Sequence, residues 1–195
     1  MIRRLLVAAT CALALSHAAS AATVTVANIK YEDTAQVAGS RLVLNGSGLR
    51  LKAIFKVYTA ALYLPVKAST TEAVIAQPGA KRMHIVMLRD INAAELGKLF
   101  ARGMEDNAPR EEFSKSVAGV LQMSELFFQY KKLSAGDYFT ADWVPGTGTV
   151  ISINGKPAGQ PIKEPEFYSA LLKIWLGKSP ADTLLKEGLL GRAEP

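Results

Sequence analysis

The chain has 195 residues, with 23 Lys and Arg against 17 Asp and Glu for a formal charge of +6, one cysteine and two histidines. Its basic residues are scattered among acids, with no basic block and no aromatic-basic interleaving, so nothing here points to a nucleic-acid binder. So few cysteines and histidines argue against a disulfide framework, a cysteine nucleophile and a zinc site of the usual composition.

At the start of the chain Arg3 and Arg4 precede an apolar run from Leu5 to Leu15, and small residues follow, ending Ala19-Ser20-Ala21. This pattern predicts a secretory signal peptide over residues 1–21, too short to span a bilayer stably. Cleavage is expected after Ala21 or Ala22. Thr10 precedes Cys11 and most of the apolar run follows it, which argues against a lipoprotein site. Cys11 and His17 leave with the leader, and the loss of Arg3 and Arg4 takes the charge from +6 to +4. The remainder, residues 22–195, is expected to form one domain in the periplasm or outside the cell. No later apolar run is long enough for an integral membrane helix.

From Thr23 to Leu64 the residues read as strands. Asn45-Gly46-Ser47-Gly48 reads as a turn. Leu49 to Leu64 reads as one long β-rich segment, apolar on both parities and therefore expected at the centre of a sheet covered on both faces. Thr71 to Gln77 is a short helix closed by Pro78-Gly79, and Lys81 to Arg89 a strand with Met83, Ile85 and Met87 on one face. Asn92 and Glu95 resemble a capping box ahead of Leu96, Leu99, Phe100 and Met104 at helical spacing. Asn107 to Pro109 breaks that helix and opens another, with Glu111 and Glu112 at its positive end. Phe113, Val117, Val120, Leu121, Phe127 and Phe128 give this second helix an apolar side. Asp137 to Val144 and Thr149 to Ile153 are strands, and Asn154-Gly155 is a type I′ hairpin signal with a return strand near Ile162. Pro165 to Leu176 is a helix ended by Gly177, and Ser179-Pro180-Ala181-Asp182 caps a last one to about Leu190. Strands, helices, a hairpin and helices, without βαβ alternation, predict an α+β fold with helices on one face of a largely antiparallel sheet.

Few residues offer chemistry. Gly46-Ser47-Gly48 lacks the third glycine and the strand-to-helix setting of a phosphate loop. Glu105 with Asp106, and Glu111 with Glu112, read as helix-end charges rather than an acid-base couple. His84, in an alternating apolar strand, reads as structural. Arg50 follows the glycine run, and Lys52, Lys56, Tyr58, Thr59 and Tyr63 come after it. Regular pairing would put Arg50, Lys52, Lys56 and Tyr58 on one face. A guanidinium and a phenol placed there could clamp a carboxylate whose tail lies among apolar helices. The same residues also suit the solvent face of a half-exposed strand.

Gly46-Ser47-Gly48-Leu49-Arg50-Leu51-Lys52, followed by Phe55-Lys56-Val57-Tyr58-Thr59-Ala60-Ala61-Leu62-Tyr63-Leu64, resembles the N-terminal signature of the chalcone isomerase family, most of all its secreted bacterial branch. Arg89-Asp90-Ile91 before a helix, and Trp175-Leu176-Gly177 before Ser179-Pro180, fit the same pattern. The resemblance implies an open-faced β-sandwich, a large antiparallel sheet and a layer of helices with a ligand cleft between them. It implies that Arg50 faces the ligand, together with a hydroxyl on the next strand. Tyr58 is the matching position, with Thr59 and Tyr63 as alternatives.

The family holds both enzymes that close a chalcone into a flavanone and fatty-acid-binding proteins without that activity. Its enzymes carry a tyrosine and an asparagine on the helix after the middle strand, where this chain has Glu95 and Arg102. The expectation is therefore a non-catalytic binder of a fatty acid or similar small amphipathic or hydrophobic acid, through Arg50, Tyr58, Thr59 and Tyr63, with no metal and no cofactor. One alternative is an intramolecular lyase or isomerase acting on a chalcone-like phenolic enone. Another is a structural or assembly partner with a vestigial cleft. The sequence assigns no oligomeric state.

Overall fold

The computed structural model describes residues 22–193. The predicted leader lies outside the described residues.

Short alternating segments build the sheet. β1 (Thr23–Val26) and β2 (Ile29–Glu32) form a separate hairpin through Ala27 and Asn28, both at positive φ. The main sheet takes β3 (Thr34–Val37), β4 (Ser40–Lys52) and β5 (Phe55–Leu64). After the short helix α1 (Thr71–Ala76) comes β6 (Lys81–Met87). β7 (Ile91–Asn92) leads into α2 (Ala93–Asn107), where the Asn92 side chain accepts from the Glu95 amide at 3.0 Å as an N-cap. Then come α3 (Arg110–Gln129) and β8 (Lys132–Leu133), which pairs with β7. β9 (Tyr138–Val144), β10 (Gly148–Ile153) and β11 (Lys156–Pro157) return to the main sheet, and α4 (Pro165–Leu176) and α5 (Thr183–Leu189) close the chain. The main sheet has seven antiparallel strands in the order β11-β10-β9-β6-β5-β4-β3.

The period of two along β5 sorts its side chains into two cores. Tyr58, Ala60, Leu62 and Leu64 face the helices, packed with Phe100 of α2, Phe127 of α3, and Phe167 and Trp175 of α4. Ala61 and Tyr63 face the other way, beneath the β1–β2 hairpin, with Tyr31, Leu42 and Val86. β5 is thus covered on both faces, which is why both its parities are apolar. α4 is buried along most of its length because α2, α3 and the sheet all pack on it. α3 buries Val120, Met123, Leu126 and Phe127, while Val117, Leu121 and Phe128 of its expected apolar side are exposed. Among the described residues no helix is long and apolar enough to cross a membrane.

The expected turn at Asn45 to Gly48 and the expected long strand after it are both corrected. β4 runs straight through Asn45, Gly46, Ser47 and Gly48, with a register shift between Leu44 and Gly46. The glycines are there for close approach: a Cβ on Gly46 would lie 2.0 Å from the Gly188 carbonyl oxygen of α5. Asn45 turns its amide to the Leu189 carbonyl at 2.7 Å and also bonds both backbone groups of Ala68. The chain reverses instead at Ala53-Ile54, with Ala53 at φ 53°, so β4 and β5 are two strands of one hairpin. The Asn154-Gly155 turn has positive φ at both residues, as its type demands. Its return strand is β11, and Ile162 makes only a single bridge to Thr149.

Candidate ligand-binding cleft

A bulge in the β4–β5 hairpin sets the geometry of the site. Arg50 is paired with Tyr58, and the next partners are Leu51 and Lys56, so Val57 is one extra residue on β5. Such a bulge breaks the strict alternation of sides. Val57 and Tyr58 both line the cleft as a result, and Lys56, expected beside Tyr58, does not.

The cleft has a volume of ≈ 270 Å³ and lies between this hairpin and α2. Arg50, Lys52, Val57 and Tyr58 form its sheet wall; Leu96, Leu99, Phe100 and Gly103 of α2 form the opposite wall, with Ile174 of α4 behind. Tyr58, Leu96, Phe100 and Ile174 are buried and make an apolar floor. Lys52, Leu99, Arg102 and Asp106 are exposed and form the rim.

Besides exposed Lys52 at its edge, the sheet wall carries two polar groups that are wholly or partly buried, Tyr58 and Arg50. The Tyr58 hydroxyl accepts a hydrogen bond from Trp175 Nε1 at 2.9 Å. Burial pushes its pKa up to about 12, against the opposing pull of that hydrogen bond and of the Arg50 charge. The phenol therefore stays protonated, and among the described residues its proton has no acceptor. Arg50 has a side-chain exposure of 24%. Its Nη1 donates to the Leu51 carbonyl and lies 3.5 Å from Asp182 Oδ2. The guanidinium also lies within hydrogen-bonding reach of the Tyr58 hydroxyl, and among the described residues its other N–H donors meet no carboxylate or carbonyl.

Asp182 ties the site together. Its Oδ2 accepts the Leu51 amide at 3.0 Å and its Oδ1 caps α5 through the Leu185 amide at 3.0 Å. From the sequence, Asp182 is legible as a helix cap and Trp175 as part of the segment that resembles the family. The spacing of residues carries no signal for either long-range partnership.

Two of the four expected ligand-binding residues share the cleft, Arg50 and Tyr58. Thr59 and Tyr63 do not, because odd positions of β5 after the bulge point to the opposite face. Thr59 is fully buried, its hydroxyl 2.7 Å from that of Tyr31, and Tyr63 donates to the Glu32 carbonyl at 3.1 Å. Of the two α2 residues compared with the enzymes, Arg102 reaches the rim, 3.7 Å from Asp106. Glu95 turns to solvent and pairs with Lys98 at 2.9 Å.

The fold is similar to that of the crystal structure of a fatty-acid binding protein from Arabidopsis thaliana, with a TM-score of 0.64 and 15% identity over 84% of this chain and 92% of that one. At that identity the likeness is one of fold. No curated protein matches the sequence. The family described as chalcone isomerase-like matches residues 22–191, which hold the main sheet and the five helices of the described residues. The chain belongs to the chalcone isomerase-like family.

Proposed function

We propose that this protein binds a fatty acid or similar small amphipathic carboxylate in the cleft, without transforming it, and works outside the cytoplasm once its leader is removed. The observation that carries the reading is the pairing of Arg50 with Tyr58: a guanidinium with donors that no carboxylate or carbonyl takes, beside a protonated phenol, on the wall of a cleft with an apolar floor and a charged rim.

The physics divides the work. An acyl chain lying against Leu96, Leu99 and Phe100 gains about 0.8 kcal/mol per buried CH₂, a gain without direction. Arg50 gives direction, because a charge-assisted bond to the carboxylate contributes about 1.5–3 kcal/mol. Tyr58 adds a neutral donor. Asp182 holds Nη1 in the resting protein, so the guanidinium is never a half-buried charge without a partner. A volume of ≈ 270 Å³ is small for a ligand site and suits one short acyl chain or the end of a longer one. The fold's likeness to a protein named for fatty-acid binding supports the same reading.

Catalysis is the weaker reading. A phenol held near pKa 12 is a poor general base at neutral pH. Among the α2 residues that line the cleft, the one side-chain donor is Arg102, which stands exposed at the rim beside Asp106 rather than over the floor where an enolate would develop.

Native mass spectrometry of protein purified from the periplasm tests the reading. The polypeptide should begin at Ala22 or Thr23 and carry one carboxylic acid of discrete mass. A protein that shows no adduct, even after incubation with excess dodecanoic acid, contradicts it.

A further inference from the structure

The β4–β5 hairpin ends in Lys52-Ala53-Ile54-Phe55-Lys56, and all five residues are exposed. Ile54 is 86% exposed and Phe55 54%. A two-residue reversal in water is ordinarily made with glycine or asparagine. Here an alanine takes the positive φ and an isoleucine stands at the apex. The guanidinium of Arg89 lies over the Phe55 ring, 5.0 Å from its centroid.

The unpaired charges around this tip are all positive, while Asp90 and Asp182 beside it are taken by Lys132 and Arg50. Among the described residues Lys52, Lys56 and Arg89 make no ion pair, whereas nearby Arg50, Lys98, Arg102 and Lys132 each have a carboxylate partner. The tip is also continuous with the cleft, since Lys52 and Val57 line its sheet wall and exposed Leu99 stands on the facing rim.

We propose that this hairpin tip docks on an anionic lipid surface. Ile54 and Phe55 enter the boundary between headgroups and acyl chains, while Lys52, Lys56 and Arg89 rest against lipid phosphates. Two apolar side chains at the end of a narrow hairpin suit insertion into a fluid layer. They offer far less area than a stable protein interface needs. Docked in this way, the protein holds the cleft mouth toward the membrane, so an acyl chain can enter without crossing bulk water. This last consequence rests on the cleft binding an acid; the docking does not.

Co-sedimentation of the mature protein with vesicles tests the docking. Vesicles of phosphatidylcholine with phosphatidylglycerol should retain the protein, phosphatidylcholine alone far less, and salt should weaken the retention. Lys56→Gln and Arg89→Gln should each weaken partition about fivefold. Ile54→Ser with Phe55→Ser should abolish it at unchanged Tm, and Ile54→Ser alone should weaken it. Retention equal on both vesicle types, or undiminished by the serine changes, overturns the proposal. A titration with soluble fatty acid, without vesicles, runs beside it and should not change in the serine variant. Wild-type protein that binds soluble acid but no vesicle refutes the docking alone. Protein that binds vesicles but no soluble acid refutes the cleft reading and leaves the docking standing.

Discussion

Tyr58 and Trp175, 117 residues apart in the chain, meet through a 2.9 Å hydrogen bond from the indole Nε1 to the phenol oxygen. The bond fixes the phenol at the junction of sheet and α4, and it leaves the phenol's own proton for the cleft. One side chain is thus asked to satisfy a buried donor and to present another.

Tyr58→Phe separates these tasks. It strands the Trp175 N–H without an acceptor inside the core, a loss of about 1–3 kcal/mol. Urea denaturation should show that loss, and acid affinity should fall by less than it does for Arg50→Ala. A variant as stable as wild type would mean that the indole hydrogen bond contributes nothing.

Asp182 competes with any ligand carboxylate for Arg50. Asp182→Asn removes that competing charge but keeps one amide acceptor for Leu51 or Leu185. Isothermal titration should show acid binding severalfold tighter, and thermal melts a loss of about 1 kcal/mol from the one backbone N–H left without its acceptor. Weaker acid binding would show that Asp182 orients Arg50 rather than competing for it.

His84 should make stability depend on pH. It lies between the rings of Tyr31 and Tyr138, at 5.4 and 5.2 Å, and its Nε2 is buried without a partner among the described residues. Burial, helped by the charge of Arg82, lowers its pKa from 6.5 to about 4. Between those values the unfolded chain binds a proton that the folded one refuses. Stability therefore falls as pH drops from 6.5 to 4 and levels below that, by up to about 3 kcal/mol. Denaturation across that window should show the slope in wild type and a flatter one in His84→Gln. Equal slopes would assign the pH dependence to other groups.

Gly46→Ala tests the contact between β4 and α5. Its Cβ would sit 2.0 Å from a backbone oxygen that no rotamer change can move. A loss of about 2–3 kcal/mol is expected, read as a lower urea midpoint. A neutral effect would mean that α5 sits farther from the strand than described.

What was legible in the sequence is what local chemistry dictates. α4 runs from Pro165 to Leu176 as expected because a proline opens it and Gly177 closes it. Asn92 and Asp182 cap their helices through side-chain oxygens, as their positions foretold. The sheet and its helical layer followed from the order of elements. The β4–β5 reversal was hidden because Ala53-Ile54 carries no turn residue, while the glycine run, which looks like a turn, serves a helix contact across space. Lys56 was misplaced by a bulge that no residue type announces. Thr59 and Tyr63 were open alternatives to Tyr58 until the parity of β5 placed them beneath the β1–β2 hairpin. The partnership of Arg50 with Asp182 spans 132 residues, a distance over which spacing rules say nothing.

The carboxylate clamp is the central claim, and the most direct test is titration of wild type and Arg50→Ala with dodecanoic acid and with its methyl ester. The acid should bind wild type well above the ester, and Arg50→Ala should lose about tenfold to a hundredfold for the acid alone. Arg50→Lys should recover only part, since an ammonium lacks the planar fork. Acid and ester binding equally well, or Arg50→Ala holding the acid as tightly as wild type, would contradict the clamp.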